Sequence, residues 1–186
     1  MRDVILCIGV FVVLYSCKAQ QTYPLNTNYN NITNYSYLKD LNNELDPYIG
    51  KYEASYNGNQ ITLYINKQEN KLISYGEQKF YRDVLSIKFI IKNSSGVILQ
   101  DTQSTNSQAN QIYSLRINSQ LGVDLSYEGT NCSIGWGKII LKKLNATQIS
   151  WEYRPNSLII DSVTCPPSTD KTVYLPVTKD LIFTKQ

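Results

Sequence analysis

KYEASYNGNQITLYI, residues 51–65, is the stretch on which the fold turns. Tyr52, Ala54 and Tyr56 fall on one face of an extended chain, and Lys51, Glu53 and Ser55 on the other. Alternation of this kind marks a half-buried strand, because successive side chains point to opposite sides. Asn57-Gly58 then supplies two residues that tolerate the left-handed backbone of a two-residue hairpin turn. Beyond it Ile61, Leu63 and Ile65 alternate with Thr62, Tyr64 and Asn66. The stretch reads as a β-hairpin with one apolar face.

The same period of two recurs downstream. After a polar turn at Lys67–Asn70 come Leu72 and Ile73, then Leu85 to Ile91, then Val97 to Leu99 past a turn at Asn93–Gly96. Asp101 to Asn110 is polar and reads as a mobile loop. Tyr113, Leu115 and Ile117 share a face, as do Leu121, Val123, Leu125 and Tyr127. Ile139–Leu144, Ile149–Tyr153, Leu158–Val163, Val173–Leu175 and Leu181–Phe183 complete a set of about ten short strands. No long helical pattern intervenes, which argues against parallel strands joined by crossover helices. The expected fold is all-β, one domain over residues 45–186. It is an antiparallel meander, closed as a barrel or folded as a two-sheet sandwich. Upstream, Leu38, Leu41 and Leu45 lie three and four apart and predict a short amphipathic helix over Ser36–Leu45, with Ser36 as N-cap. Asp46-Pro47 ends it. Residues 18–34 show no period and read as a flexible tether, so tether and helix together occupy residues 17–44.

Hydrophobic residues make up 42% of the 186 and charged residues 18%, enough apolar side chain to build a core. The net charge of +3 is too small to point to nucleic acid. Histidine is absent. That removes Ser-His-Asp and Cys-His nucleophile systems and every His-ligated metal site.

Val4 to Leu14 is an apolar run free of charge. It is too short to cross a bilayer, which takes about 20 residues, and has the length of a signal-peptide core. Leu14-Tyr15-Ser16-Cys17 resembles a bacterial lipobox, with Tyr15 where a small residue is usual. The resemblance implies a signal peptide over residues 1–16, diacylglycerol on Cys17, and the membrane as a partner through that lipid. Lys18, rather than aspartate, follows Cys17 and favours the outer membrane of a bacterial envelope, on its periplasmic or its surface face. With Cys7 removed and Cys17 acylated, Cys132 and Cys165 remain. An even remainder in an exported chain reads as one disulfide. It would close a loop of about 34 residues, worth roughly 3–4 kcal/mol of chain entropy. Two thiols without histidine are half a metal site, and there is no Cys-x-x-Cys, so neither metal nor cofactor is expected.

Gly50-Lys51-Tyr52, following a short helical segment, is similar to the entrance of lipocalin-like barrels, with tyrosine in place of their tryptophan. The chain as a whole resembles small lipoproteins of Bacteroidetes bacteria, a domain family of unknown function. The likeness rests on Leu14 to Gln20, Leu45 to Gly50, Cys132 to Gly135, Ile149 to Tyr153, Cys165-Pro166-Pro167 and Leu181 to Lys185. It implies an exported all-β lipoprotein and supplies no activity.

Without histidine, carboxylates are the available acid–base groups. Asp124 and Glu128 share the polar face of one strand, Glu152 sits between Trp151 and Tyr153, and Asp161 lies on the next. Two carboxyls about 5–10 Å apart across a cleft would serve a glycan hydrolase. The bland reading of all four is a solvated sheet face. Trp136, within Gly135-Trp136-Gly137-Lys138, is either an exposed stacking aromatic or a turn residue folded onto the disulfide. The tyrosines of the strands read as packing residues. By elimination the expected role is a non-enzymatic binding or interaction module at the cell envelope. Ile61, Leu63, Leu115 and Leu125 would line a lumen holding a small apolar ligand, or fill it. A filled lumen would instead suit an envelope inhibitor or assembly subunit, working on an envelope protein through loops such as Asp101–Asn110 and Asn131–Lys138.

Globomycin should make an unprocessed precursor accumulate, and Cys17→Ser should release the chain from the membrane fraction. An unchanged mobility and location would defeat the lipidation reading.

Overall fold

Asn57 and Gly58 both adopt left-handed backbone, with φ of 49° and 79°. They turn β3 (Gly50–Tyr56) into β4 (Asn59–Tyr75), paired from Tyr56↔Asn59 to Gly50↔Ile65. The computed structural model describes residues 19–104, 109–118, 122–163 and 165–186. Before the hairpin lie β1 (Thr22–Pro24) and β2 (Tyr37–Lys39). After it come β5 (Gln78–Lys92), β6 (Ile98–Asp101), β7 (Ile112–Asn118) and β8 (Gly122–Tyr127). The chain ends through β9 (Gly137–Lys143), β10 (Gln148–Pro155) and β11 (Leu181–Lys185).

Eight strands form a closed antiparallel barrel. From β3 the ring runs through β4, β5, β7, β8, β9, β10 and β11, and β11 returns to β3 at Thr184↔Glu53 and Lys185↔Tyr52. Closure, rather than a two-sheet sandwich, gives each of these strands a partner on both sides within the ring, though the outer edge of β5 continues past β7. Inward positions alternate as the sequence requires. Ile61, Leu63, Ile87, Phe89, Leu125, Leu141, Trp151 and Phe183 are among those that meet in one core, all essentially inaccessible. Burial of each such side chain is worth about 1.5–3 kcal/mol. Aromatic residues fill the interior, and their polar ends find partners. Trp151 Nε1 donates to the Pro176 carbonyl at 3.0 Å, Tyr127 Oη to Asn110 Oδ1 at 2.9 Å, and Tyr153 Oη to the Gly135 carbonyl.

β4 and β5 are too long for the barrel and continue beyond it as an arm. The N-terminal residues cover that arm. β2 runs parallel to β5 at Tyr37↔Tyr81 and Leu38↔Arg82, and β1 runs parallel to β2. Ile32, Leu38 and Phe80 make a second small core, with Tyr23, Tyr29 and Ile73 against it.

Several expectations are corrected here. The predicted helix over Ser36–Leu45 is absent. Tyr37–Lys39 is a strand, Leu41 is exposed, and the helical elements nearby are 3₁₀ turns at Tyr29–Asn31 and Asp46–Tyr48. A helix this short is marginal in isolation. The free edge of β5 offers better backbone partners, as in the bond from Tyr81 N to the Ser36 carbonyl at 2.8 Å. Residues 19–34 are not a free tether either: Leu25 and Ile32 are buried, so the β unit begins well before residue 45. β4 runs through the predicted Lys67–Asn70 turn with only a register shift between Gln68 and Lys71. Leu158–Val163 and Val173–Leu175 are not strands, because β10 is already paired on both sides, to β9 and β11. Of the Asp101–Asn110 loop, residues 105–108 lie outside the described residues, as does Leu121.

The N-terminal strap is pinned by ionic contacts. Asp40 accepts from Lys67 Nζ at 2.8 Å and from the Glu44 and Leu45 amides. Burial pushes the Asp40 carboxyl up, but Lys67 and the two amides outweigh it and hold it below the usual carboxylate range. A depressed folded pKa gives stability that is present above about pH 4 and is lost as pH falls through the folded value. The Glu44 and Leu45 amide resonances should therefore shift in an acid step below about pH 4 while the barrel stays folded. Asp40→Asn should abolish that step, and its persistence would refute the assignment.

Candidate functional site

Between Arg82 and Ser86 the outer edge of β5 changes partner. Leu38↔Arg82 is the last pair with β2, and Ser86↔Tyr113 opens the pairing with β7. In the gap the Leu85 amide donates to Ser114 Oγ at 2.8 Å, a side chain standing in for a strand. One residue further along, the β7–β8 register shifts between Ser114 and Arg116, so Leu115 is left unpaired as a bulge. A bulge inserts one residue and re-aims its neighbours. Ile112 and Ser114 are buried, so Leu115 shares the outward face of Tyr113 and is 46% exposed, while the bulge turns Ile117 back against the core.

The two diverging partners of β5 leave a cleft of about 610 Å³ on the outer flank of the barrel. Tyr29, Tyr75 and Phe80 form one wall, from the strap and the arm; Leu115, Arg116 and Asp124 form the other, from the barrel; Trp136 and Lys138 also line it. Tyr29 links the first wall, its ring centre 4.9 Å from Tyr75, tilted by 50°, and 6.2 Å from Phe80, whose ring is nearly parallel to it.

Two buried polar groups face this space with unfilled positions. Asp124 is 3% exposed. Its Oδ2 accepts from Arg116 Nε at 2.6 Å and Lys138 Nζ at 3.0 Å, while its buried Oδ1 has no hydrogen-bond partner. Arg82 is 7% exposed, and its buried Nε has no hydrogen-bond partner. Burial pushes the guanidinium down to about 10, and the charge of neighbouring Asp83 opposes that fall. Asp83 itself is committed elsewhere: it accepts from Tyr37 Oη, the Asp40 amide at 2.9 Å and the Asn70 amide at 3.1 Å. Tyr37 is raised by burial first and then by that carboxylate.

The sequence-derived candidates fall in different places. Cys17 and the signal segment lie outside the described residues. Cys132 and Cys165 are bonded, with Cα atoms 5.7 Å apart. The bond joins the 3₁₀ turn Asn131–Ser133 to the loop between β10 and β11, not strand to strand. Of the four carboxylates only Asp124 lines the cleft. Glu152 pairs with Arg154 on the same strand, Glu128 accepts from Ser126, and Asp161 caps the Val163 amide in an exposed loop. Asp124 and Glu152 flank Ile140 across β8, β9 and β10, but Glu152 does not line the cleft. Trp136 lines the cleft and is 41% exposed. Ile61, Leu63 and Leu125 fill the barrel, whereas Leu115 stands outside it. Among the described residues no cluster of three or more Cys, Asp or Glu is placed to hold a metal ion.

Sequence reasoning offers Tyr29 as either a partner-contacting or a solvated tyrosine, and misses Arg82 and Phe80. Their signal is Arg82-Asp83 set between Phe80-Tyr81 and Val84-Leu85, a charged pair inside an apolar strand. Comparisons with protein-family models, with curated proteins and with solved structures return no match.

Removal of the disulfide by Cys165→Ala should lower stability by about 2–5 kcal/mol. Denaturant unfolding measures it. Two free thiols in the unreduced protein, found by mass mapping, would refute the bond.

Proposed function

We propose that this chain is a non-enzymatic binding module, held at the bacterial envelope by lipid on Cys17, and that the flank cleft is its binding site. The observation that carries this reading is the pairing of a filled barrel with an aromatic-walled cleft beside it. Small barrels hold a ligand only where side chains leave room. Here Trp151, Tyr52, Tyr127, Tyr153, Phe89 and Phe183 occupy the interior. The cleft, at about 610 Å³, is within the range of small-molecule sites, and its mix of rings with a few convergent polar groups suits such a site. The expected small apolar ligand thus moves from the lumen to the flank. Strands β5, β7 and β8 supply a rigid wall, and the strap supplies the opposing one.

One further observation favours docking of an envelope protein. Ile159 is 98% exposed and Val163 90%, both in the loop tethered by Cys165, and exposed apolar clusters mark interaction surfaces.

The test is extraction of the tethered protein from envelope preparations, beside a Leu115→Glu chain whose cleft is obstructed. A small organic molecule recovered with the wild type and lost from the variant is expected. A stoichiometric protein partner that survives Leu115→Glu and is lost with Ile159→Asp would replace this reading with the docking one.

A further inference from the structure

Arg82 poses an energetic problem that the protein alone leaves unsolved. A guanidinium stays charged in a protein, and burial of a charge is costly unless it is paired and hydrogen-bonded. Arg82 is 7% exposed, with Nε unpartnered. The neighbouring carboxylate, Asp83, is one residue along the strand, where side chains alternate between faces. Its oxygens are taken by Tyr37, Asp40 and Asn70. The other carboxylate of the cleft, Asp124, already bridges Arg116 and Lys138 through Oδ2. Counting charges along the lining gives Arg82, Arg116 and Lys138 against Asp124 alone, so the space is electropositive. The rings of Tyr29, Tyr75 and Phe80 stand in the same space and offer flat apolar surface.

We infer that the cleft takes an organic monoanion with an apolar or aromatic body, its carboxylate seated on Arg82 and its body against the rings of Tyr29, Tyr75 and Phe80. This rests on the cleft being the binding site proposed above. A single carboxylate fits better than a doubly charged phosphate, because Arg116 and Lys138 share the charge of Asp124, and Arg82, which feels the charge of Asp83, makes no salt bridge with it. The planar fork of arginine matches a carboxylate edge, and a charge-assisted bond in a buried setting is stronger than a neutral one.

A matched pair of probes separates charge from shape: 3-phenylpropanoate and 3-phenylpropan-1-ol, titrated at millimolar concentration into the full chain and followed by the Trp136 indole and Arg82 Nε resonances. The carboxylate should bind at least about tenfold more tightly than the alcohol, the range expected for a hydrogen bond to a charged group. Arg82→Met should abolish that preference. It should leave the melting temperature unchanged or raise it, since it removes an unpaired buried charge. Equal binding of both probes by the wild type would overturn the anion inference while leaving the cleft as a binding site. A carboxylate preference that survives Arg82→Met, or a marked drop in melting temperature, would assign Arg82 a structural role and overturn the inference. Binding of neither probe by the folded protein would overturn the inference and the cleft reading together.

Discussion

The outer edge of β5 is the constraint from which the rest of the molecule follows. Its other edge is paired to β4 along nearly the whole strand, from Gln78 to Lys92. The outer edge must also satisfy its backbone groups, because a buried N–H or C=O without a partner costs as much as a lost hydrogen bond. Three elements share that work in succession: β2 at Tyr81 and Arg82, β7 at Ser86 and Ile87, and β6 at Ile90 to Lys92. The middle partner closes the barrel. The first binds the N-terminal strap. Where the first gives way to the second, a gap is unavoidable, since two strands cannot occupy one edge and approach it from different directions without diverging. That gap is the cleft.

The barrel is a packed scaffold. Its interior rings are buried, and the phenols of Tyr127 and Tyr153 and the indole of Trp151 end on Asn110, Gly135 and Pro176. These bonds tie the interior to the loops at its end, so the wall that bears Leu115, Arg116 and Asp124 is held by a core dense enough to resist deformation. The disulfide acts elsewhere. It restrains the long return from β10 to β11, a segment with little regular structure that would otherwise pay for its order in chain entropy.

Two adjacent charged residues of β5 show how differently burial can be met. Asp83 is surrounded by donors: a phenol, and backbone amides from the strap and from the β4 bulge. It functions as a rivet between arm and strap, as Asp40 does with Lys67. Arg82, on the other face, opens onto the cleft with its Nε unpaired. Asp40 and Asp83 are saturated by their donors, and the contrast with them sets Arg82 apart.

The all-β class, the antiparallel order of the barrel strands and much of the core were legible in the chain, because alternation reports which side of a strand is dry and Asn57-Gly58 reports where it turns. The disulfide partners were legible by count. The strap was not: leucines three and four apart in Ser36–Leu45 suit a helix, and only the open edge and apolar face of β5 give extended backbone the advantage. The outward face of Leu115 was hidden for a different reason: alternation groups Tyr113 with Leu115 but does not say that Ile112 and Ser114 take the inside, and the bulge then sends Ile117 to the core. The cleft belongs wholly to tertiary structure. Tyr29, Tyr75, Arg82, Leu115 and Asp124 come from five separate places along the chain, and no local pattern records that two strands competing for one edge will leave a space between them.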